Sequence, residues 1–235
     1  MTRRRETGMA LLMLMTILGL IGAMFAMRAF GNGQAAAVAA TRSGALLAAG
    51  VDALVGYAAS VTPPHLPCPD KTTAAGVGVA NDGREDRNPA GTCVTQEGNL
   101  PWITLGLTGT DAWSRRIRYR VTPAFSDSAT GMLLTSVGTL DVTNLDTTPA
   151  SVVTANVPVV LLSHGRNGSG AISGGGAAIA APTGADELEN TDGDDHFVTR
   201  GPVDDPAAPG GEFDDIVAWL TSAKLFARMQ QIGKL

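Results

Sequence analysis

The chain has 235 residues, of which 44% are apolar and 17% charged, and its formal net charge is −5. This apolar content excludes a fully disordered protein, and the acidic balance argues against a general nucleic-acid binder, which needs a basic face for phosphate groups. With 29 glycines and 13 prolines, the composition predicts many turns and long loops around a modest sheet.

The N-terminal stretch is the most apolar part of the chain. The nineteen residues from Met9 to Met27 include only one polar side chain, Thr16. As a helix they would span about 28 Å, close to the hydrocarbon thickness of a bilayer. Three arginines at positions 3–5 precede this run, whereas only Arg28 comes directly after it. By the positive-inside tendency, we expect the N-terminus in the cytoplasm and the remaining chain on the other side of the membrane.

Two other interpretations of this stretch stay open. A cleaved secretory signal peptide has the same charged start, but its apolar region is usually about 7–15 residues long and ends at a small-x-small cleavage site. A plain membrane anchor with a short linker after it predicts the same composition. The apolar run leads into a second helical pattern rather than an obvious cleavage region, so the signal peptide is the weaker fit.

The second helical pattern runs from Gln34 to Ser60, after two glycines, Gly31 and Gly33, that we expect to loosen the helix. An apolar stripe on one face is the feature that predicts this helix and its packing against a sheet. The stripe consists of Leu47, Val51, Leu54 and Ala58. Prolines 63 and 64 should end the helix, because proline lacks an amide hydrogen and restricts the residue before it.

Two cysteines occur, Cys68 and Cys93, and both lie C-terminal to the apolar segment. In an oxidising compartment the pair predicts one disulfide bond, worth about 3 kcal/mol through the entropy of loop closure. A metal site is the alternative, but it needs more soft ligands than the three histidines of the chain plainly supply.

In later segments, polar and apolar residues alternate with the two-residue period of a β-strand. In Trp113–Val121, arginines at 116, 118 and 120 alternate with apolar or aromatic residues, which predicts a strand with one wet face. The arginines are a solvated face or partners for acidic loops, or else a basic patch for DNA. Gly131–Val142 and Ser151–Leu162 are further strand candidates. The apolar C-terminal segment has near-helical spacing and predicts core packing, either as a helix or as a strand followed by a short terminal helix. The fold class is therefore α+β: a long N-terminal helix packed on a small antiparallel sheet, with long loops.

Several motifs resemble a known family. The junction RRRETG before MALLM resembles the processing site of type IV pilin-like proteins. The strings LPCPD, LPWITLGL, DAW, RYRV and FDDIVAWL are similar to prepilin-like proteins of type II secretion and type IV pili. The resemblance implies cleavage between Gly8 and Met9 by a prepilin peptidase, and methylation. It also implies these divisions: leader 1–8, transmembrane and filament-core helix 9–28, amphipathic continuation 29–62 and extracytoplasmic globular domain 63–235.

One departure from the family matters. Major subunits usually carry glutamate at the fifth mature position, where this chain has Met13. The resemblance therefore implies a minor pilin or pseudopilin, which is a structural subunit and not an enzyme. Its expected partners are other subunits, through the N-terminal helix, the peptidase and inner-membrane lipid, with no nucleic acid. We expect a single-pass inner-membrane protein whose globular domain lies in the periplasm or on an extracellular filament. The alternative is a periplasmic or surface module, calcium-binding or adhesive, released by ordinary signal peptidase.

The string SHGRNGSG, from Ser163 to Gly170, suggests a third class, a hydrolase that uses Ser163 or His164. Adjacent serine and histidine residues do not by themselves form a nucleophile and base, because a triad also needs an orienting acid and the correct distances. The string also lacks the GxSxG elbow. A glycine-rich turn after a buried strand explains it without catalysis, so we expect no enzymatic activity.

Acidic residues concentrate between Asp186 and Asp215, where eleven of the chain's 22 carboxylates lie with Arg200 as the only arginine or lysine. Such repulsion is relieved by solvent or by a hard cation. The loop DELENTDGDDHF offers oxygen donors of the kind that calcium prefers, although its spacing is not that of an EF-hand. Resemblance to major pseudopilins, which have a calcium-stabilised loop, adds support. The predicted ligands are Glu189, Asn190, Asp192 and Asp194, and a solvated acidic loop or a partner-docking surface is the alternative.

Overall fold

In the computed structural model, the backbone is described for residues 3–235, and side chains are described for residues 9, 11–24 and 33–235. The predicted leader 1–8, with the cleavage position after Gly8, and the last part of the predicted membrane span therefore lie outside the residues whose side chains are described. The chain divides into two compact units, Met1–Ala39 and Ala40–Leu235.

Helix α1 runs from Arg3 to Ser60. The two glycines expected to loosen it, Gly31 and Gly33, lie within the helix, because single glycines in an alanine-rich helix cost only about 1 kcal/mol each. The helix ends where predicted: the amide of Val61 still bonds to the carbonyl oxygen of Tyr57 at 3.3 Å, and two prolines come shortly after.

The first unit presents an exposed apolar surface. Between Met9 and Met24, eleven large apolar side chains are 47–71% exposed. Where the side chains of α1 are described, the segment Gly33–Ser60 is long and apolar enough to cross a membrane by length and composition alone, and Leu11–Met24 is a shorter apolar run. Because the stripe of α1 from Leu47 onward is buried in the second unit, that part of α1 is a core helix.

The second unit contains two sheets. Its strands are β1 Glu97–Asn99, β2 Arg118–Val121, β3 Leu140–Asn144, β4 Ser151–Val157, β5 Val159–Ser163, β6 His196–Thr199 and β7 Ile216–Leu220. Its short helices are α2 Trp102–Leu105, α3 Pro123–Ser126, α4 Ala185–Glu189 and α5 Ser222–Gln231. The first sheet is antiparallel, in the order β1-β2-β5-β7, and the second has the order β4-β3-β6.

The α+β class is confirmed, but the prediction of one small antiparallel sheet was incomplete. The second sheet is mixed, because β6 runs parallel to β3. The candidate strand Ser151–Leu162 is two strands, one in each sheet, that separate at Pro158, which has no amide hydrogen to donate to a continuous ladder. Of the candidate strand Gly131–Val142, only the last three residues, from Leu140, form part of a strand, which is β3.

Strand β5 is central to the second unit, and all five of its residues are buried. Val159 and Leu161 belong to the core that includes the α1 stripe and α5, whereas Val160 belongs to a second core with the residues of β3 and β6. This alternation arises from the two-residue period of a strand. The unit is therefore layered, with helices on one face of the four-stranded sheet and the second sheet on the other.

The irregular segment after α1 is fixed by the Cys68–Cys93 disulfide, which confirms the predicted pairing. Backbone hydrogen bonds between Asp70 and Asn99, at 2.8 and 3.0 Å, attach the same segment to β1. The arginines of β2 are not a free basic patch: Arg118 and Arg120 both pair with Glu97, and Arg120 also pairs with Asp195 at 2.6 Å. They are partners for acidic groups, as one of the alternatives predicted.

Candidate functional site

Three carboxylates from distant parts of the sequence meet in the second unit. Glu187 lies in α4, whereas Asp214 and Asp215 directly precede β7. Each offers one ligand atom, and these three atoms lie within 4.8 Å of one another. Glu187 and Asp215 are buried, and Asp214 is partly buried. We call these residues the acidic trio, and they could hold a metal ion.

The loop after β5, part of the SHGRNGSG string, supports the acidic trio. The backbone amide of Asn167 donates to Asp214 Oδ2 at 2.9 Å, and its side-chain amide donates to both oxygens of Glu187 at 2.9 and 3.0 Å. Gly165 has a φ of +55°, and a Cβ there would lie 2.1 Å from Asp214 Oδ1. A residue without a side chain is therefore required for this loop to approach Asp214.

Asp215 is the most deeply buried member of the acidic trio, with a side chain only 1% exposed. Its Oδ2 accepts a hydrogen bond from the side-chain amide of Asn190 at 2.9 Å. Its Oδ1 is buried and accepts none from the described residues. Asp214 Oδ1 is also buried, and the backbone amides of Asn167 and Arg166 both stabilise the Asp214 carboxylate. His164 Nδ1 lies 3.7 Å from Asp215 Oδ1, which is too long for a hydrogen bond.

Burial raises the pKa of Glu187, Asp214 and Asp215, because removing a carboxylate from water disfavours its charged form. The negative charges of neighbouring acids act in the same direction, and Asp214 itself raises the pKa of Glu187 and Asp215. Hydrogen bonds from Asn167, from Asn190 and from the backbone amides of Arg166 and Asp214 oppose these effects but do not cancel them. The trio therefore concentrates negative charge in a place where that charge is costly.

The predicted calcium ligands lie beside the acidic trio rather than in it. Asn190 is buried and reaches Asp215, but as an amide donor, and its own oxygen accepts the amide hydrogen of Val198 at 2.8 Å. Asp192 and Asp194 are exposed, and each accepts a hydrogen bond from a backbone amide two residues later. Burial raises the pKa of Glu189, and the charges of those two aspartates raise it further. Calcium binding by this loop stays a prediction.

The two residues of the hydrolase alternative have different partners. The hydroxyl of Ser163 donates to Asp111 Oδ2 at 2.6 Å, and both residues are buried. His164 Nε2 accepts a hydrogen bond from Arg118 Nε at 3.2 Å. Burial, together with the smaller effects of the charges of Arg118 and Arg115, lowers the pKa of His164 to about 3, so its ring is neutral. Ser163 therefore bonds to Asp111 and His164 to Arg118, and the two side chains do not bond to each other as a nucleophile and its base would.

The sequence prediction did not place any member of the acidic trio among the candidate ligands. The sequence did contain one signal: Asp214 and Asp215 lie between Phe213 and the apolar run IVAWL. Charged residues are seldom buried next to a core strand unless they have a partner. For Glu187, no local signal separates it from Glu189, because both lie on the same short helix.

Comparison with protein-family models, with curated proteins and with solved structures finds no match to this chain. The resemblance of its sequence motifs to prepilin-like proteins therefore stays a prediction.

Proposed function

We propose that this chain is a structural minor pilin-like or pseudopilin subunit of a type IV pilus or a type II secretion filament. The observation that carries the proposal is the exposed apolar surface of α1 between Met9 and Met24, on a helix whose later part belongs to the core of a folded domain. Exposed apolar patches of this kind mark membrane or protein contacts.

The physical reason is the cost of leaving this surface in water. The side chains from Met9 to Met24 include no charged residue, so the stretch gains free energy in lipid or against similar helices. In a subunit of this kind, lipid holds the helix before assembly and sister helices hold it afterwards. The subunit performs no chemistry; its globular domain is what the filament displays.

The resemblance of the sequence motifs further implies the cleavage position, the orientation in the membrane and the compartment of the globular domain. A prepilin peptidase cuts between Gly8 and Met9, the N-terminus faces the cytoplasm, and the globular domain lies in the periplasm or on an extracellular filament. Three arginines at positions 3–5 favour that orientation. The disulfide is consistent with an oxidising compartment.

Sequencing the N-terminus of the mature protein tests the proposal. A mature chain that begins at Met9 supports processing of the prepilin type. A start near residues 27–35 would instead support the second candidate function, a periplasmic or surface calcium-binding or adhesive module released by ordinary signal peptidase. The acidic trio is the observation that favours this second candidate.

A substitution tests the minor role within the filament. In the family, the acid at the fifth mature position is thought to pair with the N-terminal amine of a neighbouring subunit, and a tip subunit has no need of that contact. If Met13 marks such a subunit, Met13→Glu should raise the number of copies per filament or move them away from the tip. Unchanged stoichiometry and position would reject the tip assignment.

A further inference from the structure

We propose that the acidic trio, Glu187, Asp214 and Asp215, binds a hard divalent cation such as Ca²⁺ or Mg²⁺. This site is distinct from the predicted loop ligands and does not depend on the filament assignment. The first observation is that Asp215 Oδ1, on a side chain only 1% exposed, is buried and accepts no hydrogen bond from any residue that the structure describes. Nearly all buried polar atoms in folded proteins have a partner, whether protein, ordered water or an ion, so this oxygen in a cluster of three carboxylates points to a bound species that the protein itself does not supply.

The second observation concerns charge. The cations that act on the trio already pair with other carboxylates: Arg118 with Glu97, and Arg166 with Asp204 at 2.6 Å. His164 faces Asp215, but its Nε2 accepts a hydrogen bond from Arg118 and so carries no proton, and the two asparagines that bond the trio carry no charge. The trio therefore has no dedicated counter-charge among the described residues. Buried charges in proteins are paired or coordinate metals.

The donor atoms define the class of ion. All three candidate ligands are carboxylate oxygens, which hard cations prefer. His164 is not a fourth ligand: its Nε2 accepts from Arg118, so in the neutral ring Nδ1 carries the proton and has no lone pair for a metal. This argues against Zn²⁺, which usually takes nitrogen or sulfur ligands.

The spacing agrees with a shared ion. Two oxygens bound to one Ca²⁺ at about 2.4 Å can lie at most about 4.8 Å apart. The ligand atoms of the trio all lie within 4.8 Å of one another. A cation there would join α4 to the residues that precede β7, and Asn167 would attach the loop after β5 to the same centre. Its role is to lock together segments that otherwise repel one another.

The experiment uses the full chain in detergent micelles, after treatment with EDTA and removal of the chelator. The thermal midpoint is measured with no cation, with Ca²⁺ and with Mg²⁺, each up to about 10 mM, which exceeds the Kd of weak extracellular calcium sites. At a hundredfold excess over Kd, we expect the midpoint to rise by roughly 5–10 °C with at least one of the two ions. Isothermal titration should give one bound ion per chain.

Two variants locate the ion. Asp215→Asn should abolish the shift, and without cation it should be at least as stable as the parent protein, because it replaces a buried carboxyl group, costly in its charged form, by a neutral amide of the same shape. Asp192→Asn is the matched control: it makes the same chemical change in the predicted loop, on an exposed side chain. It should keep the full shift. If Asp215→Asn does not fold, Glu187→Gln replaces it with the same expectation.

Three results would overturn the proposal. The first is a parent protein whose midpoint responds to neither ion. The second is a shift that persists in Asp215→Asn and Glu187→Gln. The third is a shift that Asp192→Asn abolishes while Asp215→Asn retains it, which would place the ion in the loop that the sequence predicted.

Discussion

The substitution Leu54→Ala tests whether the second half of α1 is part of the domain core. The side chain of Leu54 is fully buried, and it belongs to the core that also contains Leu161 of β5 and Leu225 of α5. Leu54→Ala removes three carbon atoms from this core without changing charge or hydrogen bonding. Alanine also has the higher helix propensity, so any loss of stability must come from packing.

The expected magnitude is set by burial. Removing three buried carbons costs about 2.4 kcal/mol in transfer free energy, and the cavity left behind raises the total to about 3–4 kcal/mol. A domain the size of Ala40–Leu235 loses roughly 2–4 °C of thermal midpoint per kcal/mol. We therefore expect a decrease of roughly 6–16 °C in the thermal midpoint.

Two assays on the full chain in detergent, both monitored by tryptophan fluorescence, check these values: urea unfolding for the free energy of unfolding, and thermal unfolding for the midpoint. The three tryptophans, Trp102, Trp113 and Trp219, all lie in the second unit, so the signal reports on that unit and not on the apolar helix. Leu133→Ala is the control, because Leu133 is 57% exposed. It should change the free energy of unfolding by less than about 0.5 kcal/mol. Equal effects of the two substitutions would refute the packing of α1 in this core.

Three further predictions concern the loops. Replacing Cys68 and Cys93 by serine should lower the free energy of unfolding by about 3 kcal/mol, because the disulfide closes a loop with a sequence separation of 25; an unchanged urea midpoint would contradict this. Burial raises the pKa of Asp70 from 3.8 to about 6, so between these values the native state keeps a proton that the unfolded chain loses. Stability should fall by about 3 kcal/mol as pH rises from about 4 to 6, and urea unfolding of Asp70→Asn should lack that component; an identical pH profile in the variant would exclude it. Gly165→Ala should cost about 2 kcal/mol or more through its positive φ and its clash with Asp214, and a midpoint equal to that of the parent would show that the loop can move aside.

The helix stripe, the buried face of β2 and the disulfide could all be predicted from the sequence, because each depends on local periodicity or on residue counts. The stripe of α1 from Leu47 to Ala58 was readable because residues three and four apart share one helix face. Alternation around Tyr119 and Val121 identified the buried face of β2, and both side chains are buried. The disulfide could be inferred from the presence of only two cysteines. Each of these inferences needs only neighbours in the chain or the count of one residue type.

The second sheet and the acidic trio needed the tertiary structure. Strand β6 pairs with β3 in parallel, Phe197 opposite Val142, across more than fifty residues of sequence, and no local pattern specifies that pairing. Eleven carboxylates lie between Asp186 and Asp215, yet Glu187 is buried beside Asp214 whereas Asp192 is in solvent. Sequence composition determined that this stretch carries strong negative charge. Which of those charges are removed from water, and so require a partner, was decided by long-range packing, because burial depends on what the rest of the chain places against each side chain.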